Sequence, residues 1–181
     1  RREMSHSNFI AWILDDTESH NLGQFAIKQL FDVLLEYGEN KIKDSLSIYN
    51  TIRFKEDKKY IKLEFDNLYK ALMLNTYIIE NLKVAVEKPL DGGRIDIIIS
   101  MNIRSNKIDT ELPEKVNIII ENKVDSSEHS SQTKTYYDYY TNNEDYKNNL
   151  NLFVFLLPIN TSKLYDKLAD SEHFININYQ L

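Results

Sequence analysis

Cysteine is absent from the 181-residue chain, and histidine is scarce. Without cysteine, the chain can form neither a disulfide framework nor a zinc site with thiolate ligands. The four histidines are scattered and show no metal-ligand spacing: they are His6, His20, His129 and His173. Any bound metal would therefore be held mainly by oxygen atoms, which favours Mg²⁺ or Mn²⁺ over zinc.

Long hydrophobic runs are also absent. The longest, residues 152–157, is far shorter than the ~20 residues that cross a bilayer, and no signal peptide is visible. We therefore expect a cytoplasmic protein without a membrane partner. The length and the hydrophobic content of 42% predict one domain, residues 1–181. Because the chain opens without Met and stops where an element has only just begun, we expect a fragment of a slightly longer chain.

Basic residues are fewer than acidic ones: the chain has 22 Lys and Arg and 28 Asp and Glu, which gives a net charge of −6. This balance counts against indiscriminate nucleic-acid binding, although metal ions and a local basic face can compensate for it. The densest basic cluster, residues 55–62, is interleaved with acidic residues. It is more typical of a solvated mixed-charge segment than of a DNA-binding patch.

Two short β-branched stretches, residues 92–99 and 117–123, carry charges within predicted strands. If the strands are neighbours, Asp96 and Glu121 meet, and opposed Cβ atoms lie roughly 5 Å apart. Two carboxylates so close repel each other unless a cation lies between them. Singly, Asp96, Glu121 and Lys123 are each explained by an ordinary ion pair or a charged strand end. Together, three buried charges require compensation, which predicts a metal site.

The pattern Gly-Arg-Ile-Asp96, followed by Ile-Glu121-Asn122-Lys123, resembles the PD-(D/E)XK nuclease superfamily, the restriction-endonuclease-like phosphodiesterases. The segment that begins at Glu3 and the pair Gln132-x-x-x-Tyr136 add to this likeness, as does His20-Asn-Leu-Gly. The resemblance covers most of the chain and is to an uncharacterised bacterial branch. At Thr133 and Thr135 the chain departs from it, because relatives carry an apolar and a basic residue there.

The resemblance implies a site built from both strands, the first helix and the Gln132 helix. The implied catalytic residues are Asp96, Glu121, Lys123, Glu3 and Gln132. The implied metal ligands for Mg²⁺ or Mn²⁺ are Asp96, Glu121, the backbone carbonyl of Asn122, and Glu3 directly or through water. Lys123 would orient the attacking water and stabilise the transition state. The participation of Glu87 and Tyr136 stays open.

The implied function is a Mg²⁺-dependent nuclease, a DNA endonuclease whose partner is nucleic acid. One alternative is a catalytically inactive module that keeps the fold and binds nucleic acid or a protein. A nuclease that acts on RNA is another, and a homodimer stays open. A role in genome defence or repair follows from likeness alone.

The hydrophobic pattern predicts helices at about 3–15, 22–37, 68–79, 126–142 and 161–169, and strands at 82–87, 92–99, 117–123, 151–158 and 174–178. Residues 47–54 fit a strand or a short helix, and 102–115 fit a loop or a hairpin extension. Tyrosines 136–140 either stack on bases or pack on the sheet, and His20 is expected to be a structural cap. The order predicts an α/β fold, a central mixed β-sheet flanked by helices. It matches a restriction-endonuclease-like αβββαβ core with a helical insert and an extra C-terminal helix and strand.

Overall fold

The computed structural model describes residues 2–56, 62–90, 93–107, 110–124, 131–157 and 168–179. Its helices are α1 (Arg2–Leu14), α2 (Phe25–Glu56), α3 (Phe65–Met73) and α4 (Gln132–Asn142). Its strands are β1 (Tyr77–Leu90), β2 (Gly93–Ser105), β3 (Lys115–Asn122), β4 (Leu150–Leu157) and β5 (Phe174–Asn178). None of the described helices combines the length and the apolar character that crossing a membrane requires.

A five-stranded mixed sheet in the order β1-β2-β3-β4-β5 organises the fold. The pairs β1–β2 and β2–β3 are antiparallel, whereas β3–β4 and β4–β5 are parallel. The antiparallel β1–β2 pair agrees with the hairpin that the Asp-Gly-Gly sequence predicts, although Asp91 and Gly92 lie outside the described residues. The α/β class with a mixed, helix-flanked sheet is confirmed.

Each face of the sheet buries its own hydrophobic core. Helices α1, α2 and α3 cover one face, and the side chains of Ile97 and Ile99 belong to the core on that face. Helix α4 covers the other face, and the side chains of Ile98 and Ile119 belong to the core there. This alternation follows from the period of two along a strand. Every residue of β4 is buried, as expected for a strand with a layer on each face.

Helix α2 breaks at Gly38, as predicted, but resumes at once and runs to Glu56. Gly38 has non-helical angles, φ −133° and ψ 19°. A Cβ atom there would lie 2.5 Å from Cδ1 of Ile175 on β5, so only glycine allows this close approach. Residues 47–54, for which the sequence left strand and helix open, are helical.

The predicted end of the helix over 68–79 is wrong. The helix expected over 68–79 ends at Met73, and residues from Tyr77 belong to β1, because Asn75 takes a positive φ of 50° that ends the helix. For residues 102–115 the sequence left a loop and a hairpin extension open, and their first part is strand, since β2 continues to Ser105. The helix expected over 126–142 is described from Gln132 onward, and most of the one expected over 161–169 lies outside the described residues.

Candidate active site

Asp96 and Asn122 join β2 to β3 at the end of their ladder. The last paired residues are Ile97 and Ile120, so Asp96 and Glu121 come next along the two strands. The backbone N–H of Asn122 donates to Oδ2 of Asp96 at 2.8 Å. For the Asn122 N–H, the Asp96 carboxylate thus takes the place of a backbone carbonyl of β2 as the hydrogen-bond acceptor. This hydrogen bond holds the Asp96 side chain against β3.

Glu121 and Lys123 form a buried ion pair at the end of β3. The Nζ–Oε1 distance is 2.6 Å, and the side chains are 2% and 8% exposed. Nζ of Lys123 also donates to Oε1 of Gln132 on α4, at 3.1 Å. Burial of both charges is costly, and the pair and its hydrogen bonds compensate for that cost. Three residues that the sequence assigns to the site are therefore in direct contact.

A further series of hydrogen bonds runs from helix α4 through Tyr136 to β2. Nε2 of Gln132 lies 3.4 Å from the Tyr136 hydroxyl, which donates to the backbone carbonyl of Arg94 at 2.8 Å. Burial raises the pKa of the Tyr136 hydroxyl, and the negative charges of Glu121 and Asp96 add to the rise. A Cβ atom on Gly93 would lie 3.3 Å from this hydroxyl, so the glycine before Arg94 makes room for it.

Helix α1 reaches the same end of the sheet. Oε1 of Glu3 accepts a hydrogen bond from the N–H of Val124 at 3.3 Å. The Asn122 side chain donates to Ser7 Oγ at 2.9 Å and to the Glu3 carbonyl at 3.4 Å. The hydroxyl of Tyr179, just after β5, donates to Oδ1 of Asn122. The sequence did not identify Ser7 or Tyr179 as site residues.

The electrostatics at Asp96 favour a nearby cation. Burial raises the pKa of the Asp96 carboxyl, and the charge of Glu3 acts in the same direction. The Asn122 N–H, Lys123 and Arg94 oppose the rise but do not cancel it. A positive ion would stabilise the ionised carboxylate that burial penalises.

A family model described as the PD-(D/E)XK nuclease superfamily matches residues 1–181. The chain belongs to this superfamily. No curated protein and no solved structure matches the chain. The family resemblance expected from the sequence is confirmed, and it agrees with the mixed, helix-flanked sheet.

PD-(D/E)XK nucleases typically use divalent metal ions, and oxygen donors of the kind that such ions prefer are present at this site. In the described part of the chain, no three Asp, Glu or His side chains are grouped so as to hold a metal. Mg²⁺ is often bound by one or two carboxylates, with waters and substrate oxygens completing its shell. Asp96 and Glu121 lie on neighbouring strands and, together with the Asn122 carbonyl, are oxygen donors of that kind. Metal ligation by these residues and by Glu3 stays a prediction.

Several side chains near the site have structural partners. Glu87 forms an ion pair with Arg94 at 3.3 Å. His20 caps a turn, accepting from the N–H of Leu22 at 2.9 Å, with Nε2 2.9 Å from the Asp15 carbonyl. Tyrosines 136 and 140 are fully buried against the sheet, as the packing alternative predicted. Their burial makes base stacking by these two rings impossible.

Thr133 has a structural role at the start of α4. Its side chain is fully buried, and its hydroxyl accepts a hydrogen bond from the Ser171 N–H at 3.0 Å. Thr135 lies two residues further along α4 and is less buried, with its hydroxyl 3.4 Å from the Ser131 carbonyl. The threonine at 133 therefore joins α4 to the segment before β5, a structural role that an apolar residue could not fill.

Proposed function

We propose that this chain is a divalent-metal-dependent nuclease that hydrolyses phosphodiester bonds and acts as a DNA endonuclease. The main support for this proposal is that Lys123 contacts both Glu121 and Gln132 beside Asp96. The chain that makes these contacts belongs to a nuclease superfamily. The preference for DNA rests on the likeness to restriction-endonuclease-like enzymes.

Asp96, Glu121 and the backbone carbonyl of Asn122 would hold the metal ion, with Glu3 directly or through water. When bound, the ion supplies a nucleophilic water at neutral pH and stabilises charge on the phosphate oxygens. The chain's part is to keep these donors in place. The Asn122 N–H fixes Asp96, and the Val124 N–H fixes Glu3.

Lys123 provides the fixed positive charge of the site. Its ammonium is held by Glu121 and by Gln132, so its position is set before the substrate arrives. A preorganised donor stabilises the negative charge that develops in the transition state without having to reorganise. Lys123 thus orients the attacking water and stabilises the phosphorane-like transition state, and Gln132 supports Lys123.

A cleavage assay tests the proposal. Single- and double-stranded DNA and RNA are incubated with the protein and Mg²⁺ or Mn²⁺, beside Asp96→Ala and Lys123→Ala. Glu80→Gln is the matched control, because Glu80 forms an exposed ion pair with Arg104 and lies near the other end of β1. We expect metal-dependent cleavage of DNA by the wild type and the control, and none by the two site variants.

Each other outcome has a definite meaning. Cleavage that survives both site substitutions would place the chemistry elsewhere in the chain. Cleavage of RNA alone would replace the DNA assignment. No cleavage under any condition would favour the inactive module that binds nucleic acid or a protein.

A further inference from the structure

We propose that Tyr179, which follows β5, is a positioning residue of the site. Through the side chain of Asn122, its hydroxyl fixes the first turns of α1 against the end of β3, and so sets where Glu3 stands relative to Asp96. This inference rests on the proposed function of the same site.

The Asn122 side chain is the point where three elements meet. It accepts from the Tyr179 hydroxyl, donates to Ser7 Oγ at 2.9 Å, and lies 3.4 Å from the Glu3 carbonyl. Asn122 and Ser7 are each only 1% exposed. Water therefore has little access to replace any of these partners, and a lost hydrogen bond leaves a buried polar group unsatisfied.

The chemistry of the partners fixes the orientation of the Asn122 amide. The backbone carbonyl of Glu3 can only accept, so the NH₂ group of Asn122 must face α1. The amide oxygen must then face Tyr179, which makes the phenol the donor. Burial raises the pKa of the Tyr179 hydroxyl, with the charges of Asp96 and Glu3 contributing, so the phenol keeps its proton at neutral pH.

Asn122 also connects this contact to the acidic residues. Its backbone N–H holds Asp96 at 2.8 Å, and its neighbours along the chain are Glu121 and Lys123. Loss of the Tyr179 hydroxyl would free the amide to rotate and loosen its hold on α1. The Glu3 carboxylate, which reaches Val124 from α1, would then lose its fixed position.

The test is Tyr179→Phe, which keeps the ring and its edge contact with His6 at 5.9 Å. We expect the affinity for Mn²⁺, measured by titration calorimetry, to fall about tenfold, as is typical when a partner of a ligand is removed. Cleavage should lose kcat by a similar factor, with KM for DNA unchanged, because the Tyr179 hydroxyl is directed at Asn122 and acts through it. Hydrogen exchange of the α1 amides should become faster.

Two further variants make the result specific. Ser7→Ala removes another partner of the same amide, so its effect on exchange in α1 should be similar and should not add fully to that of Tyr179→Phe. Tyr37→Phe removes a hydroxyl from a tyrosine that is 48% exposed on α2, and it should match the wild type in every measurement.

The two proposals fail in different ways. Wild-type protein that cleaves no nucleic acid would overturn the nuclease assignment, whereas α1 exchange would still report on the positioning contact. Wild-type cleavage together with unchanged Mn²⁺ affinity, kcat and α1 exchange in Tyr179→Phe would overturn the positioning role and leave the nuclease assignment intact.

Discussion

The ammonium of Lys123 lies 2.6 Å from the carboxylate of Glu121, and both side chains are almost wholly buried. Two charges in such a place stabilise each other but cost solvation, so their net contribution to folding is small. Their position beside Gln132 and near Asp96 agrees with the active-site role proposed for the pair.

Substitution at this pair should separate stability from activity. Lys123→Met leaves the Glu121 carboxylate buried without its cation, and we expect the free energy of unfolding to fall by about 3 kcal/mol. The double variant Glu121→Gln/Lys123→Met carries neither charge and should recover most of that loss. Urea unfolding measures the stability, and the DNA cleavage assay should find both variants inactive.

A double variant as unstable as Lys123→Met would show that the ion pair itself stabilises the fold. Recovered cleavage in the double variant would show that neither charge takes part in the reaction.

Thr133 is expected to matter for folding and not for catalysis. Thr133→Val keeps the volume but leaves the buried Ser171 N–H without its acceptor, which should lower the free energy of unfolding by about 2 kcal/mol. Cleavage of DNA per folded molecule should be unchanged, because Gln132 keeps its contact with Lys123. Thr135→Val is the control, and should change stability by less than about 0.5 kcal/mol. Reduced cleavage by folded Thr133→Val would instead place this residue in the site.

Gly38→Ala should destabilise the protein, although alanine normally favours a helix over glycine by about 1 kcal/mol. The added Cβ would lie 2.5 Å from Cδ1 of Ile175, and such crowding should cost about 2 kcal/mol in urea unfolding. In an Ile175→Val background, which lacks that atom, the penalty should be smaller. Asn40→Ala, at an exposed position of α2, should be neutral or slightly stabilising. A stabilising Gly38→Ala would mean that α2 does not approach β5 this closely.

Local periodicity predicted which of the candidate site residues would lie near one another. Asp96, Glu121 and Lys123 follow from the period of two in strands, and Gln132 and Tyr136 from helical spacing. Helical spacing places Ser7 on the same face of α1 as Glu3, but the contacts of Ser7 and Tyr179 with Asn122 could not be found in this way. These two residues reach Asn122 only because β5 pairs with β4 and α1 packs across the sheet, and these contacts span 57 and 115 residues of sequence.

The element that the sequence left open and the boundary that it misplaced also have physical causes. The second half of α2 is rich in polar residues, so its pattern there fitted a strand or a short helix. Tyr77, Ile78 and Ile79 continue an apolar pattern that fits both helix and strand, and the turn at Asn75 decides between them. Short apolar segments are ambiguous by periodicity alone.

Asp96→Asn should remove metal binding while leaving the metal-free fold intact. Burial and the charge of Glu3 already disfavour the Asp96 carboxylate, and an asparagine oxygen can still accept the Asn122 N–H. We therefore expect the free energy of unfolding without metal to change by less than about 1 kcal/mol.

Mn²⁺ at 100 times its dissociation constant should stabilise the wild type and Glu80→Gln by about 2.7 kcal/mol, and Asp96→Asn by little. A thermal melt with and without Mn²⁺ measures the difference. An Asp96→Asn protein that gains as much stability from Mn²⁺ as the wild type would exclude Asp96 as a ligand, because an ion that binds the folded chain elsewhere stabilises it equally in both.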